Sequence, residues 1–325
     1  MKRKVIFDTD IGTDDAVALT TLLLSDKYDV IGITTTHGNQ PVDNTTDNAL
    51  RLVDYFGFDI PVYKGCSKPM VRGLFKGRKN NTIQEPLEKI VDGKKITIHA
   101  EHICLPETKR KFEDKHACSY IVDTLRNSNE KINICAVGPL TNIGMAFTMD
   151  HSIYKNIDTI YIMGGGIYKG NRTPSAEANF YDDPEAAEIV LNSGCKVVIA
   201  PLEGCESMKK FDYNTVKELE EINTKASSFL AEEIKEYLNR EQILFGDMCT
   251  EDTIYDLGAV IPMLDESLIK DIRKEIAHVD CSGGMADGTL ICDRRGFVES
   301  DTKIEVIYEL DKEKSYKLFL DIISK

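Results

Sequence analysis

What this 325-residue chain lacks narrows its class before any motif is considered. No apolar run approaches the roughly 18 residues of a membrane-spanning helix. After Met1-Lys2-Arg3-Lys4 the first apolar stretch, Val5-Ile6-Phe7, is too short for a signal peptide. A cytoplasmic location with no membrane partner is therefore expected. Paired cysteine spacing is missing as well: the count of nine is odd and no two form a C-x-x-C pair. Zinc fingers, c-type haem and a disulfide framework are left without support. Cys135 and Cys195 sit inside apolar runs, so a reduced chain with several buried thiols is expected. Basic charge is in deficit, 40 Lys and Arg against 54 Asp and Glu, for a formal charge of −14. Such a surface repels nucleic acid and anionic membrane unless a local basic patch overrides it. Repeats, low-complexity tracts and Pro/Gly/Ser linkers are absent too. At roughly 150 residues per domain the chain has room for one large or two small domains. Without a linker, a single domain over residues 1–325 is the expectation.

Hydrophobic content of 42% with 29% charged residues is that of a soluble globular protein, which excludes disorder, collagen and coiled-coil fibre. Short β-like runs alternate with longer amphipathic ones. Strands are expected at Val5–Phe7, Val30–Thr36, Pro61–Tyr63, Ile132–Val137, Thr159–Met163 and Lys196–Ala200. Helices are expected at Asp14–Ser25, Val42–Phe56, Leu140–Phe147 and Pro184–Leu191. This rhythm predicts an α/β fold with a mainly parallel central sheet flanked by helices. In such sheets ligands bind beyond the carboxyl ends of the strands. Two segments break the rhythm. Residues 72–115 form a long charged excursion, most polar at Gly77-Arg78-Lys79-Asn80-Asn81, that suits a flap near the site. Residues 211–251 suggest an amphipathic helical segment with Phe229, Ile234, Tyr237 and Leu238 buried.

The first strand runs into Asp8-Thr9-Asp10-Ile11-Gly12-Thr13-Asp14-Asp15, four carboxylates in eight residues. Like charges packed so closely raise one another's pKa unless a cation or hydrogen bonds absorb them. Gly12 permits a tight turn, and Asp14 and Asp15 then open a helix, which aims several oxygens at one spot. Hard divalent ions such as Ca²⁺ and Mg²⁺ want such oxygens. Two chemistries could use the loop. In one, a strand-end Asp is the nucleophile of a Mg²⁺-dependent Asp-x-Asp phosphatase. In the other, the carboxylates hold a cation and one of them deprotonates a water.

The Asp-Thr-Asp-x-Gly-x-Asp-Asp run resembles the N-terminal signature of the nucleoside hydrolases, the inosine/uridine-preferring N-ribohydrolases. Further segments are similar to that family's motifs along essentially the whole chain: His37-Gly38-Asn39, Val137-Gly138-Pro139-Leu140-Thr141-Asn142, Met163-Gly164-Gly165-Gly166 and Asn171 with Ala176-Glu177-Ala178-Asn179. Asp183-Pro184-Glu185-Ala186-Ala187, Tyr255-Asp256-Leu257-Gly258-Ala259-Val260 and Asp293-Arg294-Arg295-Gly296 continue the series. The resemblance implies a Rossmann-like nucleoside hydrolase fold. It also implies hydrolysis of the N-glycosidic bond of ribonucleosides to ribose and free base, through an oxocarbenium-like transition state. Its Ca²⁺ would be held by Asp10, Asp15, the Thr141 carbonyl and Asp256, with Asp10 as general base for the bound water. Asp8 either orients the loop or ligates directly. Asp14 would accept the 2′-hydroxyl, Asn39 and Asn179 would bind ribose, and Glu177 and Asn171 would hold the 5′-hydroxyl. Met163 would pack on the sugar, and Asn179 would also stabilise charge near the ring oxygen. A homo-dimer or homo-tetramer and a role in nucleoside salvage go with the family.

Two departures concern the base. Tyr255 stands where many members carry a His that protonates a purine, so it is either a proton donor or an aromatic wall. Tyr237 and Arg240 are alternative base contacts. The loop His99-Ala100-Glu101-His102-Ile103-Cys104 replaces a His-Gly-Glu-Asp-Gly-like segment, and of its two imidazoles His102 is expected to approach the site. The departures favour pyrimidine ribonucleosides or a broad range over strict inosine preference. His116 and His278 are expected to be structural. Rival functions are the Mg²⁺ phosphatase, for which no matching Lys stands out, and a non-catalytic nucleoside-binding protein.

Overall fold

Short strands rich in β-branched residues, each followed by an amphipathic helix, assemble into an eight-stranded sheet in the computed structural model, which describes residues 2–75, 77–78, 88–246, 248–295, 297 and 304–325. Residues 76 and 79–87 of the expected excursion, including Lys79-Asn80-Asn81 of its most polar point, lie outside the described residues, as does Gly296 of the late turn.

In chain order the strands are β1 (Arg3–Thr9), β2 (Tyr28–Thr35), β3 (Val62–Lys64), β4 (Glu88–Val91), β5 (Lys94–Thr97), β6 (Ile132–Ala136) and β7 (Ile157–Met163). There follow β8 (Val197–Ala200), β9 (Phe211–Asp212), β10 (Glu251–Asp252), β11 (Ile269–Lys274), β12 (Ala277–Val279), β13 (Leu290–Cys292) and β14 (Ile304–Leu310). The main sheet has the order β11-β14-β8-β7-β6-β1-β2-β3. Every pairing in it is parallel except β11 with β14, so one edge is antiparallel. The chain winds outward from β1 in one direction, then returns to its other side with β6 and winds the opposite way. The carboxyl ends of β1 and β6 therefore diverge into helices on opposite faces, and the crevice between them is where such a sheet binds its ligand.

The pleat decides the core. Val5 and Phe7 of β1 face one buried cluster and Ile6 faces the other. The first face is covered by α1 (Thr13–Leu24) and α2 (Val42–Phe56). The second is covered by α3 (Ala117–Arg126), α4 (Thr141–Met149), α5 (Ala178–Asp182) and α6 (Pro184–Leu191). Next come α7 (Leu202–Glu206), α8 (Tyr213–Ile222), α9 (Lys225–Phe245), α10 (Leu257–Leu264) and α11 (Lys312–Ile323), and α8 to α11 add to the first cluster.

The expected strands and helices before residue 200 are present, with ends that match or move by at most two residues. The helical segment expected over 211–251 is broken, for a local reason. It opens as β9, which pairs with β10, and its helix stops at Asn223, which adopts left-handed φ +54°. Thr224 then caps a second helix by accepting the Ser227 amide. The 72–115 excursion contains the β4–β5 hairpin, which rests on α9. None of the nine cysteines is in a disulfide, and Cys118, Cys135, Cys195 and Cys205 are buried. No described helix is long and apolar enough to cross a membrane.

Candidate active site

At the crevice, β1 delivers Asp8, the turn after it Asp10, the start of α1 delivers Asp14 and Asp15, and the residue capping α10 is Asp256. All five carboxylates are buried. Their surroundings differ, and the differences assign their work.

Asp8 is wedged under the sheet end. Its Oδ1 accepts the Thr34 hydroxyl at 2.5 Å and the Asn142 amide at 2.8 Å. Burial pushes its pKa up to about 7, against those bonds. These ties suit the loop-orienting alternative. Asp15 is a hub: it accepts the Thr9 hydroxyl at 2.5 Å, the Gly12 amide at 2.9 Å, the Asp10 amide at 3.3 Å and the Asn39 side chain at 3.1 Å. It thereby holds the turn closed.

Among the described residues Asp10 accepts one bond, from the Asn39 amide at 2.5 Å onto Oδ2, and its buried Oδ1 has no partner. Two glycines bracket this carboxylate. A methyl group on Gly38 would lie 2.0 Å from Oδ2, and one on Gly138 would lie 2.6 Å from Oδ1. Asp14 likewise keeps a buried Oδ1 without a partner. The Asp256 carboxylate accepts no hydrogen bond from any described residue. Oxygens of Asp14, Asp15 and Asp256 all lie within 4.8 Å of one another. Burial raises the pKa of Asp10 well above the ordinary value, and Asp15 adds to it. Burial and Asp15 push Asp14 up to about 8. Asp256 rises for the same reasons, with Asp14 and Asp10 contributing. Several anions with bare oxygens and no opposing charge among their strongest influences form a site that a hard, oxygen-seeking divalent cation fits. The Thr141 hydroxyl is committed to Asp183 at 2.6 Å, with the His37 ring at 3.1 Å, so its carbonyl is the oxygen it would contribute.

The next ring of residues is polar. Asn179 gives its amide nitrogen to the Val137 carbonyl at 3.0 Å and the Met163 carbonyl at 3.2 Å, which pins the ends of β6 and β7 together. Its Oδ1 is the end left for a ligand. Met163 is buried, with its sulfur 3.5 Å from that nitrogen. Glu177 accepts the amides of Asn179 and Gly165 at 2.8 Å and of Phe180 at 3.2 Å, so it caps α5 and fastens the Gly164-Gly165-Gly166 loop. Burial nevertheless pushes it up to about 7. Asn171 is exposed, and its Oδ1 accepts the Ala178 amide at 2.9 Å.

The base-side expectations change. The imidazole at the carboxylates belongs to His99, whose Nδ1 lies 3.8 Å from Asp14 Oδ1 and is buried without a partner. His102 instead stands against Asp47 of α2 at 3.3 Å, largely exposed. The correction has a simple cause. Thr97 ends β5, its hydroxyl donates to the His99 carbonyl at 2.7 Å, and Gln40 donates to the same oxygen at 3.1 Å. That anchors His99 over the loop, while Asn48 takes up the Ile103 amide and sets His102 outside. Burial pushes His99 down to about 4, so it is neutral near pH 7. Tyr255 does not present a free hydroxyl, because it donates to Glu206 at 3.2 Å. Burial raises its pKa, and Asp252 and Glu206 raise it further, which suits the aromatic-wall alternative. Tyr237 donates to Asp252 at 2.7 Å, and its ring lies 5.9 Å from that of His99. Glu241, pushed up to about 9 by burial and by Asp252, completes this acidic group.

Comparison with known proteins gives a consistent result. Residues 5–317 match the family described as inosine-uridine preferring nucleoside hydrolase. A Leishmania major protein of that same name is 29% identical over 332 residues, covering 100% of this chain and 98% of that one. A pyrimidine-specific ribonucleoside hydrolase of Escherichia coli is 30% identical, covering 95% of this chain and 94% of its own. Among solved structures, the purine-preferring ribonucleoside hydrolase from Gardnerella vaginalis superposes with a TM-score of 0.85 at 28% identity, over 99% of this chain and 98% of that one.

Proposed function

This chain belongs to the inosine-uridine preferring nucleoside hydrolase family and is a ribonucleoside N-ribohydrolase, and from that premise we propose a cation-assisted mechanism in which Asp10 is the general base. The observation that carries the proposal is the meeting of Asp10, Asp14, Asp15 and Asp256 at the sheet crevice with two buried oxygens unpartnered. Asp10, Asp15, Asp256 and the Thr141 carbonyl would hold Ca²⁺, which when bound supplies positive charge that favours ionisation of water and ligation of a ribose diol.

The remaining work falls to the chain itself. Asp10 Oδ1 takes a proton from the water that attacks C1′, and the close approach of Gly38 and Gly138 fixes where that oxygen stands. Asp14 accepts the 2′-hydroxyl. Asn39 braces Asp10 and Asp15 from the ribose side. Asn179 Oδ1 faces the positive charge that develops at the ring oxygen as the bond to the base breaks. Glu177 and Asn171 hold the 5′-hydroxyl end, and Met163 forms part of the floor. His99, Tyr237 and Tyr255 enclose the base.

The relatives' names specify inosine and uridine, pyrimidines, or purines, so hydrolysis is common to them while base choice is not. We assign this chain pyrimidine or broad preference, because neither His99, held neutral, nor Tyr255, bound to Glu206, is a strong acid for a purine. A reducing-sugar assay over a nucleoside panel, before and after chelation and Ca²⁺ readdition, tests the proposal. Uridine should release ribose, chelation should abolish release, and Ca²⁺ should restore it. The 2′-deoxy substrate should be rejected by on the order of 10⁴, as when buried polar groups lose their partner. Full activity after exhaustive chelation would remove the cation. Strong preference for inosine over uridine would overturn the base assignment.

A further inference from the structure

A second group of metal-ligating side chains lies behind the crevice, and its chemistry is the opposite of the first. Cys66 follows β3, His116 is the capping residue of α3, and Cys118 lies in the first turn of that helix. Ligand atoms of all three lie within 4.8 Å of one another. The two sulfurs are 3.7 Å apart and both thiols are free.

That separation is informative. A disulfide requires about 2.05 Å between sulfurs. A tetrahedral ion with zinc–sulfur bonds of about 2.3 Å places two thiolates about 3.8 Å apart. The pair is therefore spaced as ligands without further movement. The imidazole is also prepared. His116 Nδ1 accepts a long 3.3 Å bond from the Cys118 amide, so it is the ring nitrogen that carries no proton and offers a lone pair. Cys118 is buried, Cys66 is half-buried and His116 is exposed. Of the three, His116 lines a cleft of ≈ 490 Å³ together with Lys64, Ser67, Glu113 and Asp114. The group is thus exposed on its imidazole side.

Cys66 is held rigidly where it stands. Its amide donates to Asn142 Oδ1 at 2.9 Å, and a side chain on Gly65 would strike that same oxygen at 2.2 Å. The other end of the Asn142 amide donates to Asp8 at 2.8 Å. The thiol group is therefore part of a fixed scaffold, one side chain away from the carboxylate loop.

We propose that Cys66, Cys118 and His116 form a binding site for a soft, thiolate-seeking cation of the Zn²⁺ class, separate from the oxygen site at Asp10. Two thiolates and an imidazole select Zn²⁺ over Ca²⁺ or Mg²⁺, as carboxylates with a carbonyl do the reverse. Binding displaces both thiol protons to solvent and exchanges the weak bond at His116 Nδ1 for the metal.

Cobalt titration of the reduced, full-length protein in excess Ca²⁺ tests this, since Ca²⁺ occupies the carboxylates and cobalt reports thiolates by a near-ultraviolet charge-transfer band. The expected result is one equivalent of Co²⁺ with that band, bleached by equimolar Zn²⁺. Cys66→Ser and Cys118→Ser should each abolish the band, while Cys281→Ser keeps it. In the unmutated protein Zn²⁺ should protect Cys66 and Cys118 from alkylation, read by peptide mass. Absence of the band in the unmutated protein would overturn the proposal, as would a band that survives in the Cys66→Ser/Cys118→Ser double variant. Recovery of the two thiols only as a disulfide, with no cobalt bound after reduction, would overturn it too.

Discussion

Around Asp287 two guanidiniums enclose a buried carboxylate, whereas the groups that act most strongly on buried Asp10 are burial itself and other acids. Asp287 Oδ2 accepts Arg72 at 2.6 Å and Arg78 Nε at 3.1 Å, and Oδ1 accepts Arg78 at 2.7 Å and the Gly283 amide at 3.2 Å. Arg78 also pairs with Glu185, and Arg72 stacks over Tyr181 with its guanidinium carbon 3.7 Å from the ring centre. Two cations thus meet two anions. At the crevice Asp14, Asp15 and Asp256 gather near Asp10, with Oδ1 of Asp10 and of Asp14 bare among the described residues. Burial is costly for both groups. The compensated one ties distant parts of the chain together. The uncompensated one stores a demand for positive charge, and that demand marks it as the reactive place.

Substitutions should separate the two. Asp10→Asn deletes the base and a cation ligand, so turnover on uridine should fall by on the order of 10²–10⁴. Because an amide relieves repulsion among acids, the chelated variant should melt no lower than chelated wild type. A variant within tenfold of wild-type turnover, or one that melts well below it, would erase the contrast. Asp287→Ala does the reverse. It strands Arg72 and Arg78, and should lower unfolding free energy by about 3–5 kcal/mol in urea titrations, as breaking a buried pair does. The folded fraction should keep its turnover.

His99 sharpens the comparison through pH. Its pKa falls from 6.5 to about 4 on folding, so the unfolded chain binds the extra proton between those values. Stability linked to neutral His99 is present above 6.5 and is lost as pH falls towards 4. His99→Gln should therefore flatten the drop in melting temperature across that window. Curves for wild type and variant that stay parallel would contradict the burial of a neutral ring. Tyr255→Phe should have the smallest effect. Its hydroxyl serves Glu206, so about 1 kcal/mol of stability should be lost while turnover on uridine holds. A marked loss of turnover would restore Tyr255 as a donor to the base.

The carboxylates differ in how visible they are in the sequence. Asp8, Asp10, Asp14 and Asp15 fall in one loop between a β-branched strand and an amphipathic helix, so local pattern alone places them together. Asp256 and Asn179 join only through resemblance, since nothing local says that the start of α10 or α5 turns towards β1. The His99 and His102 exchange was hidden because it depends on the hairpin and on partners in Gln40 and Asn48. Tyr255 looked available because Glu206, its partner, sits on another element. Arg72 and Asp287 are 215 residues apart, and no periodicity or motif links them. The edge strand β11, in which the charged pairs Lys270-Asp271 and Arg273-Lys274 each follow a single isoleucine, lacks the apolar run that revealed the inner strands.

The two glycines that bracket Asp10 carry a consequence for how this protein tolerates change. Neither has a functional group, yet any larger residue at 38 or 138 would occupy the space of the Asp10 oxygens. In a saturation scan these positions should score as intolerant as the carboxylate itself. A screen that equates intolerance with chemistry would count them among the reacting groups, although their whole contribution is the volume they leave vacant.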